Sequence, residues 1–236
     1  MIFHGGIIMN IYGFQSLTLL DYPGHLAATL FTGGCNYRCP FCHNGDLLEP
    51  EEPLDMNQVL RTLERRRGRL EGVCITGGEP TLHPELPSLI RELRTMGYLI
   101  KLDSNGTYPD RLQHMVQDGL IDYIAMDIKN SPAKYASTAG CLNPRLDAVR
   151  ESISFLMQGE LPFEFRTTLI PELHEPDDMK QIGEWIQGAP AYFLQAYRES
   201  PFVLAPIYSE PRREWMQQML TCVLPYIPAA KIRGVD

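Results

Sequence analysis

Short apolar runs of strand length alternate with longer stretches of helical periodicity along most of the chain, and that alternation leaves few folds open. Candidate strands cover residues 26–31, 73–75, 98–102, 123–126, 163–170 and 191–196. Between them, Met56, Val59, Leu60 and Leu63 share one helical face behind Asp55 and Gln58, which are spaced as a capping box. Leu86, Leu89, Ile90 and Leu93 repeat the i, i+3, i+4, i+7 spacing and stop at Gly97. The same grammar recurs in Leu112, Met115 and Val116 before Gly119, and in Leu146, Val149, Ile153, Leu156 and Met157 before Gly159. A strand followed by a helix is the repeating unit, which predicts a parallel sheet covered by helices. Eight such units close a barrel in about 250 residues. Six units in 236 residues therefore predict an α/β fold, a partial (βα)6 TIM-type barrel open on one side, with an open doubly wound sheet as the rival.

After Ala196 the prolines at 201, 206 and 211 break this rhythm, and a last helix around Trp215, Met219 and Val223 is expected to pack as a C-terminal helical appendage. The expected organisation is a single domain over 1–236, with its core at about 24–197 and an extension over 198–236. A hydrophobic content of 44% supplies a core of that size. With 21 Lys and Arg against 29 Asp and Glu, the formal charge is -8, which advertises no broad basic surface to nucleic acid. A basic partner or a neutral substrate fits that charge better. The longest apolar stretches, residues 26–31 and 203–207, fall far short of the roughly 20 residues that span a bilayer, so no membrane role is expected. The opening MIFHGGIIMNIYGF lacks the basic start, apolar segment and cleavage site of a secretory signal. A cytoplasmic location is expected, with Met9 as an alternative start to Met1.

Three of six cysteines, Cys35, Cys39 and Cys42, crowd into the loop that should follow the first candidate strand, where barrel active sites lie. Disulfides are a poor account of such crowding in a chain of this length. Intervening gaps of three and two residues let one short loop wrap three thiolates around three corners of an iron–sulfur cubane, leaving one iron open, whereas electron carriers normally use four cysteines. Spacing alone also admits a structural zinc site, with His43 as a strained fourth ligand, or unpaired thiols.

Cys-x3-Cys-x2-Cys with Phe41 before the last cysteine resembles the signature of the radical S-adenosylmethionine superfamily. That resemblance implies a 4Fe-4S cluster whose open iron is chelated by S-adenosylmethionine, and a 5'-deoxyadenosyl radical that abstracts hydrogen. Thr76-Gly77-Gly78-Glu79-Pro80, after the second candidate strand, resembles the family motif that binds the methionyl amino group. Paired glycines there would let a ligand approach backbone closely. Leu102-Asp103-Ser104-Asn105-Gly106 and Met126-Asp127-Ile128-Lys129 end the third and fourth strands on the same predicted face. They look like the pyruvate formate-lyase activating enzyme, where Asp103, Ser104, Met126 and Asp127 match positions around a monovalent cation and Lys129 matches a cosubstrate-binding lysine. Arg166, on the polar face of the fifth strand, suits either the cosubstrate carboxylate or a structural salt bridge. Gln195 stands where the activating enzyme has histidine, so no role is carried over to it.

Asp21-Tyr22-Pro23-Gly24, Cys42-His43-Asn44 and Arg166-Thr167-Thr168 further resemble the glycyl-radical enzyme activases, the nearest being the longer form that serves anaerobic ribonucleoside-triphosphate reductase. The resemblance implies a glycyl-radical enzyme as partner and a one-electron donor such as flavodoxin or ferredoxin, with no residue acting as general acid or base. A radical enzyme for a small molecule such as a deazaguanine precursor, and a structural metal-binding module, are the alternatives. Cys74 reads as core, while Cys141 and Cys222 are isolated. Arg65, Arg66, Arg67 and Arg69 read as a solvated helix end, and His83, His114 and His174 have no motif context.

Overall fold

The structure, a computed structural model, describes residues 9–234, so the choice between Met1 and Met9 as start falls in part outside the described residues. Eight strands, β1 (Ile11–Thr18), β2 (Ala27–Thr32), β3 (Gly72–Gly77), β4 (Leu99–Ser104), β5 (Tyr123–Asp127), β6 (Phe163–Leu169), β7 (Tyr192–Ala196) and β8 (Lys231–Arg233), follow one another in the sheet as they do in sequence. The helices are α1 (Met56–Arg65), α2 (Leu86–Thr95), α3 (Pro109–Gln117), α4 (Tyr135–Thr138), α5 (Leu146–Gln158), α6 (Pro176–Trp185) and α7 (Arg213–Val223). The fold is α/β with an open sheet. No helix among the described residues is long and apolar enough to cross a membrane.

All six expected strands are present as β2 to β7, and two more are added. β1 is an edge strand antiparallel to β2, and β8 pairs parallel to β7. The segment after Ala196 is thus more than a helical appendage, because beyond α7 it returns to the sheet. α6 was not predicted either. Its apolar positions Met179, Ile182 and Ile186 are interrupted by Gly183, a residue that normally weakens a helix. Tertiary packing explains the glycine, since a Cβ there would meet the Tyr226 ring at 2.7 Å, just beyond α7.

The chain divides into two compact units. The first takes the described residues up to Cys35, then Asp46–Ser104 and Asp110–Ile124. In it, β2, β3 and β4 pair in parallel, with Ala27 opposite Gly72 and Gly72 opposite Leu99. α1 buries Met56, Val59, Leu60 and Leu63, and α2 buries Leu86, Leu89, Ile90 and Leu93, the two stripes expected from periodicity. Each such side chain withdrawn from water stabilises the fold by about 1.5–3 kcal/mol. Asp55 caps α1 by accepting from the Asn57 N–H at 2.9 Å. Arg66 is more than a solvated helix end, because its guanidinium donates to the Ser16 carbonyl of β1 at 2.8 Å.

The second unit takes Asn36–Gly45, Asn105–Pro109 and the chain from Ala125 onward. β6, β7 and β8 pair in parallel there. Parallel strands end on a common side, so the loops after β2 and β3 in the first unit, and after β6 and β7 in the second, each leave their own group of strands together.

Candidate functional site

In the first unit, the turn after β3 is built against the exit of β2. The Gly78 N–H donates to the Thr32 carbonyl and the Glu79 N–H to the Gly34 carbonyl, both at 2.8 Å. Gly77 has φ +110, and a Cβ on Gly78 would stand 1.9 Å from the Gly34 oxygen. Backbone therefore passes backbone with no room for a side chain, one residue before Cys35. His83, which had no motif context, donates from Nε2 to the Gly33 carbonyl at 2.8 Å and braces the same approach.

Glu79 is buried and takes hydrogen bonds from the Thr81 N–H at 3.0 Å, the Thr81 hydroxyl, and the Ser104 hydroxyl at 2.9 Å. Its carboxylate is thus held by the first turn after β3 and the last residue of β4. Asp103 forms a salt bridge with Lys101, which lies on the same face of β4 and is almost wholly buried. Cys74 lies beside the pair, its thiol 3.9 Å from Asp103 and 3.7 Å from the Lys101 ammonium. It is buried as expected, yet in polar rather than purely apolar company.

In the second unit, Cys39 is buried and Cys42 half-exposed, and the Cys42 N–H donates to the Cys39 carbonyl at 3.0 Å. Asn105 does not wait on a ligand with both ends open. Its amide donates to Asn36 at 2.9 Å, and its oxygen accepts from the Thr107 N–H at 3.1 Å and hydroxyl at 2.6 Å, so it pins the cysteine loop. His43 turns to other partners, stacking on Tyr197 at 5.6 Å and meeting the Arg198 carbonyl at 2.5 Å. Met126 is fully buried beneath Gly106, where a Cβ would meet its methyl at 2.0 Å.

Asp127 accepts from Lys129 at 3.0 Å and from the Arg166 Nε at 2.9 Å. Burial would raise the Asp127 carboxyl, but the Arg166 guanidinium and the Lys129 ammonium outweigh it and hold the pKa at about 2. Burial would likewise depress the Lys129 ammonium, yet Asp127 and then the neighbouring Cys39 sulfur raise it above the ordinary lysine value. The group therefore stays ionised across the physiological range. Of the two roles open for Arg166, the structure displays the salt bridge.

The loop carrying Lys129 is gripped by residues that sequence reasoning passed over. His174, fully buried, contacts the Lys129 carbonyl through Nε2 at 3.0 Å and accepts from the Ile170 N–H at Nδ1 at 3.2 Å. A carbonyl only accepts, so Nε2 carries the proton. Asn130 donates to the Leu173 carbonyl at 3.0 Å, and Ser131 to Asp178 at 2.7 Å. Burial first of all lowers the His174 pKa, and Lys134 adds to it, while the carbonyl bonds and Asp178 oppose. A folded pKa below the unfolded value means that the ring contributes stability fully above about pH 6.5 and loses it as pH falls. His174→Gln should therefore flatten the loss of thermal stability between pH 7 and 5. An unchanged slope in denaturation curves at those pH values would refute this assignment.

The three clustered cysteines are outside any disulfide, and among the described residues no three Cys, His, Asp or Glu side chains converge tightly enough to hold one metal ion. Zinc needs such convergence, whereas a cubane receives each thiolate at a separate iron. The donor set of one short loop, with a backbone turn packed at its start, fits a cluster.

Residues 29–186 match the Radical SAM superfamily. A protein of Methanocaldococcus jannaschii, named a glycyl-radical enzyme activating enzyme, is 25% identical over 236 residues, covering 96% of each chain. The pyruvate formate-lyase-activating enzyme of Staphylococcus epidermidis is 27% identical over 199 residues, covering 76% of each. Among solved structures, Streptococcus suis SuiB bound to S-adenosylmethionine matches with a TM-score of 0.64 at 12% identity, over 88% of this chain and 51% of that one.

Proposed function

This chain belongs to the radical SAM superfamily, and from that membership we propose that it activates a glycyl-radical enzyme by removing a hydrogen atom from a glycine of the partner. The observation that carries the reading is the pair of backbone bonds that seat the Gly77–Gly78–Glu79 turn on the residues leading into Cys35. They put a glycine-lined turn beside the first of three clustered thiols, as a cosubstrate bound to a cluster iron requires. When bound, the cluster supplies one electron that cleaves S-adenosylmethionine to methionine and a 5'-deoxyadenosyl radical, the species that takes hydrogen from glycine.

The chain's own residues bind and orient. Cys35, Cys39 and Cys42 hold the cluster. Gly77 and Gly78 offer backbone to the cosubstrate amino group, with Glu79 fixing the turn through Thr81 and Ser104. Lys129, kept ionised by Asp127 and steadied with it by Arg166, attracts the cosubstrate carboxylate. Asn105 sets the shape of the cysteine loop. At Asp103 the buried Lys101 supplies positive charge of the kind a monovalent cation would bring. The partner is anaerobic ribonucleoside-triphosphate reductase, served by flavodoxin or ferredoxin as electron donor, in the cytoplasm.

Anaerobic reconstitution with iron and sulfide, reduction in the presence of S-adenosylmethionine, and mixing with an anaerobic ribonucleotide reductase test the proposal. The expected results are 5'-deoxyadenosine and a glycyl radical seen by electron paramagnetic resonance. Cosubstrate cleavage with no radical on any glycyl-radical protein would favour a small-molecule substrate instead. Lys129→Ala should leave iron content near wild type while weakening S-adenosylmethionine binding about tenfold to a hundredfold, the worth of one charged hydrogen bond. Equal loss of iron and of cosubstrate affinity would place Lys129 in the cluster's support rather than the cosubstrate's.

A further inference from the structure

Tyr135 opens α4 with its ring edge-on to Tyr37, 6.4 Å away in the cysteine loop, and to Trp185, 6.0 Å away on α6. The side chain is fully buried, and its hydroxyl proton meets no acceptor in hydrogen-bond geometry among the described residues. A buried hydroxyl left without a partner costs free energy, so such groups are rare unless something absent satisfies them. Thr32 and Tyr197 also bury unpartnered hydroxyls, but the surroundings of Tyr135 set it apart. Burial raises its pKa first; the Lys129 ammonium and the Lys129 backbone beside the phenol oxygen lower it, and Cys39 and Asp127 raise it. These are the groups assigned above to the cluster and the cosubstrate.

Tyr135 is also fastened to the loop it faces. The Arg38 N–H, one residue before Cys39, donates to the Ala139 carbonyl at 3.0 Å, just past α4. Gly140, at φ +60, packs so closely that a Cβ would stand 2.0 Å from the Arg38 oxygen. Where the cysteine loop goes, α4 goes with it. A phenol facing a metal-bound thiolate acts as donor, because the sulfur has only lone pairs to offer.

We infer that the buried Tyr135 hydroxyl donates a hydrogen bond to the Cys39 thiolate when the cluster is in place, making Tyr135 a positioning residue that sets the cluster's reduction potential. This rests on Cys39 being a cluster ligand. Hydrogen bonds to cluster sulfur stabilise the more negative, reduced form and so raise the potential. The Cys39 thiolate would supply the acceptor that the hydroxyl proton lacks.

Tyr135→Phe removes the hydroxyl and keeps the ring. In reconstituted protein, a redox titration followed by electron paramagnetic resonance should give a lower midpoint potential than wild type, at equal iron and sulfide content. In cluster-free protein the same variant should melt at the wild-type temperature or above. An unchanged potential, or a shift that appears only after S-adenosylmethionine is added, would overturn the inference; the latter would assign the hydroxyl to the cosubstrate. A lower melting temperature of the cluster-free variant would also overturn it by revealing a structural partner. If wild-type protein itself forms no iron–sulfur cluster, the proposed function fails first, an outcome readily told apart from a cluster whose potential ignores Tyr135.

Discussion

Cys39→Ala is expected to abolish the iron–sulfur absorbance of reconstituted protein and reduce S-adenosylmethionine cleavage to background. Three thiolates are the minimum set for a cubane with one open iron, and removing one leaves two irons without protein ligands. Loss of a supporting residue alone typically costs tenfold to a hundredfold in metal affinity, and loss of a ligand should cost more than about a hundredfold. Cys39 is the sharpest of the three to test, because it is buried and its carbonyl receives the Cys42 N–H, so solvent or a neighbouring thiol cannot readily substitute. Cys222→Ala serves as the control and should keep full iron content. Iron binding and cosubstrate cleavage at wild-type levels in Cys39→Ala would remove the basis of the proposed function.

Arg233→Ala should destabilise the protein by about 3 kcal/mol. Its guanidinium grips Glu164 in a fork, at 2.7 and 2.9 Å, and lies over the Phe193 ring at 3.2 Å. Glu164 is 1% exposed, so removing the arginine takes the fork from a carboxylate that water does not reach. Breaking a buried pair in this way costs about 3–5 kcal/mol, and the lower figure applies because the Arg233 side chain is 34% exposed and partly screened. In a chain of this size the thermal midpoint should fall by roughly 6–12 °C. Changing Glu164→Gln together with Arg233→Ala should cost less than the arginine change alone, since the buried charge that Arg233 balanced disappears. A midpoint within a degree of wild type for the single variant would show that β8 is held by its backbone alone.

Much of the candidate site is written in local order along the chain. The cysteine spacing, the Gly-Gly-Glu-Pro turn and the strand ends carrying Asp103, Asp127 and Lys129 are short, contiguous motifs. The residues missed are those whose meaning depends on partners far along the chain. His174 is isolated in sequence, yet it reaches the Lys129 carbonyl 45 positions away. Lys101 reads as an ordinary strand residue until its burial against Cys74, 27 positions away, is seen. Tyr135 sits in a helix of four residues, too short to announce itself by periodicity.

The same division holds for the fold. Sequence alone determined the alternation of strands and helices, because side-chain period is a local property that each element carries within itself. It also determined which loop bears the thiols. Only the tertiary structure decided that β1 and β8 extend the sheet, since an edge strand and a three-residue strand exist through pairing with a neighbour rather than through any apolar pattern of their own. It likewise decided what each polar group faces: Asn105 turned to Asn36, Arg166 to Asp127, and the Tyr135 hydroxyl proton to no acceptor among the described residues. A buried polar atom takes its role from the atoms folding brings to it, and those lie tens of residues away in the chain.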